Sequence, residues 1–125
     1  MIDNQHVTQW LQNYVSAWKS YDPDAIRALF SENAAYRYNP FDEPMRGRET
    51  ILTSWLENPD PPGSFAAEYR VIALNGNTAV SNGRTSYFQE DGETLRQQFD
   101  NIFVMQFDAD GRCVDFCEWF MQART

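Results

Sequence analysis

The chain has 125 residues, enough for one domain with a real core and too few for two. Hydrophobic residues at 42% and aromatic residues at 15% exclude a disordered chain. A net charge of -8 argues against nucleic acid or an anionic membrane as partner.

The N-terminal MIDNQHVTQW has neither the basic start nor the apolar stretch of a signal peptide. No run approaches the roughly 18 apolar residues of a membrane helix. The two cysteines, read below as reduced thiols, lead us to expect a cytoplasmic protein. From Asp3 to about Ser20, Val7, Trp10, Leu11, Tyr14 and Trp18 recur at helical spacing. "DPDAIRALF" opens a second helix, with Asp22 as N-cap, Pro23 in the first turn and Asp24 at the positive helix end. Its buried side is expected to be Ile26, Leu29 and Phe30. "AAYRY" reads as a short strand ended by the loop "NPFDEP". A third helix follows over Arg48 to Leu56, facing inward with Ile51, Leu52, Trp55 and Leu56, until "NPDPPG" stops it.

The remainder is a meander with strands at about 65–74, 78–89, 94–107 and 112–122. Asn75-Gly76, Asp91-Gly92 and "DADG" at 108–111 separate them, and such turns between alternating apolar runs are strong hairpin signals. Three helices before a long antiparallel sheet predict an α+β domain spanning residues 1–125, with helices on one sheet face. Cys113 and Cys117, four apart on the last strand, are expected to face the same way about 13 Å apart at ~3.3 Å per residue. That exceeds the ~7 Å reach of a disulfide, so both are read as reduced, packed thiols.

The strand from Gln97 to Phe107 divides by parity. Leu95, Phe99, Phe103, Met105 and Phe107 share one side with Gln97 and Asn101; Arg96, Gln98, Asp100 and Gln106 dominate the other. The apolar side should meet the helices, which turns Asn101 inward and Asp100 outward. A two-residue turn at Asp91-Gly92 pairs Glu90 with Glu93 and so places Arg84 opposite Phe99 and Asn82 opposite Asn101. A four-residue turn at 108–111 pairs Phe107 with Arg112 and places Glu118 opposite Asn101. The helix-facing surface then carries Asn82, Arg84, Phe99, Asn101, Phe103, Phe116, Glu118 and Phe120; a bulge at either turn would flip that strand's contribution.

Glu118 among phenylalanines is the candidate acid or base, since poor solvation raises a carboxyl pKa toward neutrality. A partnering Arg84 would oppose that shift. Three roles stay open for this group: catalysis, passive ligand binding, or a satisfied buried network. Tyr14 and Trp18 lie one turn apart on the first helix, and Tyr36 and Tyr38 share a side of the first strand; a tyrosine hydroxyl aimed into a cavity can donate to a developing oxyanion. Trp55 reads as a packing residue that also borders the slot. Glycine-rich phosphate loops, G-x-S-x-G and H-E-x-x-H are absent, and His6 is the only histidine, so no metal and no cofactor are expected.

The order of elements, with "YVSAWKSYDPDAIRALFSENAAYRYNPFDEPMRGRETI" and the C-terminal "FDADGR", resembles the nuclear transport factor 2-like superfamily, in its SnoaL-like and ketosteroid isomerase-like branch. The resemblance covers essentially the whole chain. It implies a cone, a cystatin-like α+β roll in which a strongly curved antiparallel sheet wraps a pocket closed by three N-terminal helices. It also implies homodimers through the outer sheet face, where Asp100, Ile102, Val104, Cys117, Trp119 and Met121 would lie. Tyr14 matches the oxyanion-hole tyrosine of the ketosteroid isomerases; the position of their proton-shuttling aspartate falls at Tyr38 or Asn39, and that of their second acidic donor at Phe103. Glu118 resembles the last-strand acid of limonene epoxide hydrolase-like proteins and of SnoaL-like cyclases. Arg84 stands for the arginine of the hydrolases, and Ser86 replaces their second acid. The reading is a small-molecule enzyme using Glu118, Arg84 and Tyr14 for proton transfer on a mainly apolar or amphipathic substrate. Trp18, Tyr38, Trp55, Asn82, Phe99, Asn101, Phe103, Phe116 and Phe120 would bind it. The alternative is a binding or dimeric interaction domain without turnover.

Overall fold

The computed structural model describes residues 2–124. Helix α1 (Asn4–Ser20) starts where the Asp3 carboxylate accepts the His6 N–H at 2.8 Å. It ends at Tyr21, which takes the left-handed conformation at φ 51° and donates its N–H to Ala17 O. Val7, Trp10, Leu11, Tyr14 and Ala17 form its buried side. Helix α2 (Pro23–Leu29) has the expected cap, Asp22, accepting from Asp24 N. Phe30 is buried as expected, but as the first residue of strand β1 (Phe30–Arg37) rather than on the helix. The two-residue strand β2 (Met45–Arg46) follows, and then α3 (Arg48–Glu57), which buries Ile51, Leu52 and Trp55. Leu56, expected to face inward, lies one residue beyond Trp55 around the helix and is 40% exposed.

Strands β3 (Phe65–Asn75), β4 (Thr78–Phe88), β5 (Leu95–Phe107) and β6 (Cys113–Gln122) form the meander. The six strands make one curved, unclosed sheet in the order β2-β1-β6-β5-β4-β3, with the helices on one side. The α+β class and cone architecture are as expected, with one correction: β1 runs parallel to β6, so the sheet is mixed. The meander puts its last strand beside the first, and the intervening helix and hairpins leave the two running the same way.

Two bulges decide which residues look inward. Next to the β4–β5 turn, Phe88 faces Leu95, the pairing that the two-residue turn implies. Arg96 is then an extra residue, Tyr87 pairs with Gln97, and every later pair is displaced by one. One residue of slip moves a strand's side chains to the other face. The inner set of β4 is therefore Ala79, Ser81, Gly83, Thr85 and Tyr87, while Asn82 and Arg84 point outward. The second irregularity lies at Val114, where pairing passes from Phe107–Cys113 to Gln106–Asp115. Glu118 ends opposite Phe103, two residues from the expected register and so still on the inner face. The same bulge separates the cysteines. Both are free and buried, but Cys113 sits in the core beneath the helices while Cys117 lies on the outer side next to Phe116, contrary to the expectation that they face one way.

Candidate active site

Between the helices and the inner sheet face lies a cavity of about 450 Å³. Helix α1 and its cap contribute Tyr14, Trp18 and Tyr21, while Tyr36 and Tyr38 enter from β1 and the residue after it. Helix α3 and the following loop add Ser54, Trp55, Asn58 and Asp60. The sheet supplies Tyr69, Thr85, Tyr87, Phe99, Asn101, Phe103, Glu118 and Phe120. All six tyrosines of the chain face this space.

Of the residues expected at the site, Tyr14, Trp18, Tyr38, Trp55, Phe99, Asn101, Phe103, Glu118 and Phe120 come together here. Arg84 and Asn82 do not. The Arg96 bulge turns both outward, where Arg84 Nε lies 3.3 Å from Asp100 Oδ2 and Asn82 Nδ2 donates to Asp100 Oδ1 at 2.7 Å. Asp100 is outward and Asn101 inward, as parity requires. Phe116 is also displaced from its expected role: it is fully buried behind the wall, a plate stacked on Tyr36 at 4.4 Å and on Tyr14 at 5.6 Å between ring centroids.

A single hydrogen-bonded line crosses the inner sheet face. Tyr69 and Thr85 hydroxyls are 2.6 Å apart, Thr85 donates to Asn101 Oδ1 at 2.9 Å, and Asn101 Nδ2 donates to Glu118 Oε2 at 2.6 Å. Thr85 has one proton and spends it on Asn101, so the Tyr69 hydroxyl donates to Thr85. The Asn101 carbonyl is thereby turned to Thr85 and its amino group to the carboxylate. Sequence reasoning placed Asn101 but missed Thr85 and Tyr69, because the slip that brings Thr85 inward has no marker in residue type.

Burial pushes the Glu118 carboxyl up from its ordinary value of 4.5 to about 7, against the smaller downward pull of the Asn101 hydrogen bond. The displacement of Arg84 removes the cation that would have held it ionised. Tyr14 and Tyr36 share a hydrogen bond at 2.8 Å between hydroxyls, and burial, then neighbouring charge, keeps both far above the usual tyrosine range. They are neutral donors at any physiological pH. A second carboxylate sits in the same wall: Asp60 Oδ2 accepts Trp18 Nε1 at 2.9 Å, and Asp60 N–H donates to the Tyr21 hydroxyl at 2.8 Å. Among the described residues no group of three or more His, Cys, Asp and Glu side chains is arranged to hold a metal ion.

A curved, unclosed sheet packed against three helices over a tyrosine-lined cavity defines an α+β cone. Residues 11–116 match the SnoaL-like domain, and the chain belongs to that family. Solved structures share the fold. An NTF-2 like protein of unknown function from Burkholderia xenovorans LB400 aligns at TM-score 0.72 and 18% identity, covering 97% of this chain and 87% of that one. A protein from Kribbella flavida DSM 17836, provisionally named a ketosteroid isomerase, aligns at 0.71 and 17%, covering 98% and 83%. An LEH-like epoxide hydrolase from M. tuberculosis aligns at 0.68 and 19%, covering 94% and 84%. At such identities the likeness is one of fold. Among curated proteins none matches the sequence.

Proposed function

We propose that the chain is a small-molecule enzyme in which Glu118 moves a proton on a mainly apolar substrate held in the aromatic cavity. The observation that carries this reading is a carboxyl poised near pH 7 in the wall of that cavity, oriented by Asn101 and opposed by no cation. A structural acid gains nothing from such a position, whereas a general base works best with its pKa near the working pH. In an isomerisation, the Glu118 carboxylate takes a proton from a carbon beside a carbonyl and the electron pair moves to the carbonyl oxygen. With a β,γ-unsaturated ketone the intermediate is a dienolate, and the same carboxyl returns the proton to its γ-carbon as the oxygen's electron pair re-forms the carbonyl and the double bond moves into conjugation. The Tyr14–Tyr36 hydroxyl pair supplies the neutral donor for the oxyanion. Cyclisation and epoxide opening draw on the same parts, the base acting on carbon or on water. The structural relatives named for isomerase and epoxide hydrolase chemistry support this range.

The test is a panel of ketones and epoxides assayed with the native chain and with Glu118→Gln. Turnover should fall by roughly 10²–10⁴-fold in the variant with ligand affinity retained, and native kcat/KM should rise to a plateau with a midpoint near 7. Undiminished turnover in Glu118→Gln would sink the proposal. A binding domain without turnover is the second reading, favoured by Phe103, and by Tyr38 or Asn39, at the two positions where the isomerase resemblance calls for acids. In either reading a second copy pairs through the outer sheet face, where Trp119 and Met121 are exposed.

A further inference from the structure

The proposed cavity has an uneven chemistry. Eleven of its lining side chains are aromatic and its two ionisable carboxyls, Glu118 and Asp60, are both acids. Among the described residues that line it there is no lysine, arginine or histidine. A buried anionic ligand would meet no counter-charge and would face two carboxyls of its own sign. The tyrosines cannot share that charge, because burial holds their hydroxyls neutral. An uncharged ligand would fit the rings but draw nothing from the two acids, whose charge only neutral donors offset: Trp18 Nε1 and the Tyr21 hydroxyl at Asp60 Oδ2, and Asn101 Nδ2 at Glu118. A cation meets both: ring faces attract positive charge through their quadrupole, and carboxylates attract it directly.

Resting on the reading of this cavity as a substrate site, we infer that its ligand is an organic cation, a substituted ammonium on an apolar frame, held between aromatic faces and the Glu118 and Asp60 carboxylates. Asp60 is fixed for that task. Trp18 Nε1 occupies its Oδ2, the Tyr21 hydroxyl binds its backbone N–H, and both rings stand at the wall beside it. Both acids line the same cavity, with Tyr87 in the wall beside them. The chain's net charge of -8 adds a long-range pull on a cation and none on an anion.

Glu118 makes the affinity depend on pH. The titratable and polar groups that share the cavity with it are Tyr14 from α1, Tyr21 from its cap, Tyr36 from β1 and Tyr38 just after it, Tyr69 from β3, Tyr87 from β4 and Asn101 from β5, with Asp60 from the α3–β3 loop. Its neighbour Cys117 lies on the outer face. None of these carries positive charge. A bound ammonium favours the carboxylate, so binding below pH 7 expels a proton and costs affinity, about tenfold between pH 8 and pH 6 if only the ionised form binds.

The experiment titrates the intact protein with three probes, following its tryptophan fluorescence, to which Trp18 and Trp55 of the cavity wall contribute: phenyltrimethylammonium, its uncharged isostere tert-butylbenzene, and benzoate. The cation should bind at least tenfold tighter than the isostere at pH 8, and that preference should shrink about tenfold at pH 6. Glu118→Gln should abolish the pH dependence, and Asp60→Asn should reduce the preference for the cation at both pH values. Binding of tert-butylbenzene or benzoate as tight as that of phenyltrimethylammonium would overturn the cation assignment and leave the cavity a ligand site. Failure of all three to bind would overturn both.

Discussion

Glu118 holds its proton more tightly in the folded chain than in the unfolded one, because burial strips water from the carboxylate and one amide replaces only part of it. Its contribution to stability is fully present below the ordinary carboxyl value of 4.5 and is lost as pH rises through about 7. Glu118→Gln, which still accepts from Asn101, should therefore stabilise the fold by on the order of 2 kcal/mol at pH 8 and by nothing at pH 4, measured by urea denaturation. Thr85 acts through Asn101. Thr85→Val leaves the Asn101 carbonyl without its donor, which costs about 1–3 kcal/mol and frees the amide to turn its oxygen toward Glu118. That oxygen accepts only from a protonated acid, so the Glu118 midpoint should move upward in carboxyl NMR titration, and Thr85→Ser should restore it. An unchanged midpoint would reduce Thr85 to packing.

At the scale of elements, β4 carries the consequences of its pairing on both sides. Gly83 faces inward opposite Asn101 and pairs with Tyr69 on β3. A Cβ there would press into the Glu68 carbonyl oxygen and the Tyr69 ring and lie 2.6 Å from Tyr69 Cα. Its φ is ordinary, so the demand is for space rather than for backbone freedom. Gly83→Ala should force β3 away and cost at least about 2 kcal/mol, with loss of the Tyr69–Thr85 contact. Wild-type stability in that variant would show that β3 can shift freely. The turn that sets this strand is held by Asp91, which accepts from the N–H groups of Glu93 and Thr94 and from the Thr94 hydroxyl. Asp-Gly announces that turn in the sequence. The Arg96 bulge beside it has no such signature.

For the whole molecule, the inner face is covered by helices and the outer face is not. Trp119 is 44% exposed and Met121 77% exposed on the outer side of β6. Pairing of two copies there would cover them, and Arg84–Asp100 would lie at the same surface as an adjustable ion pair. Sedimentation should show a dimer that Trp119→Glu converts to monomer. With both copies at -8, added salt should strengthen the native association by screening their repulsion. A native monomer at all salt concentrations would remove the proposed interface.

Local chemistry in the sequence was enough for the three helices, the Asp22 cap, the four long strands and the inward turn of Asn101; Glu118 kept its expected side only because the longer turn and the Val114 bulge together displace it by two residues. Each follows from a short-range rule: apolar period, capping geometry, or alternation along one strand. The facing of Arg84 and Asn82, the separation of Cys113 from Cys117 and the parallel contact of β1 with β6 were settled only by the folded sheet. An extra residue at Arg96 or near Val114 changes no composition and breaks no pattern that can be seen before the strands pair, yet the first exchanges the faces of β4 and the second puts Cys113 and Cys117 on opposite sides. That exchange replaced an arginine beside Glu118 with a threonine and a tyrosine, and so left the acid its proton near neutral pH.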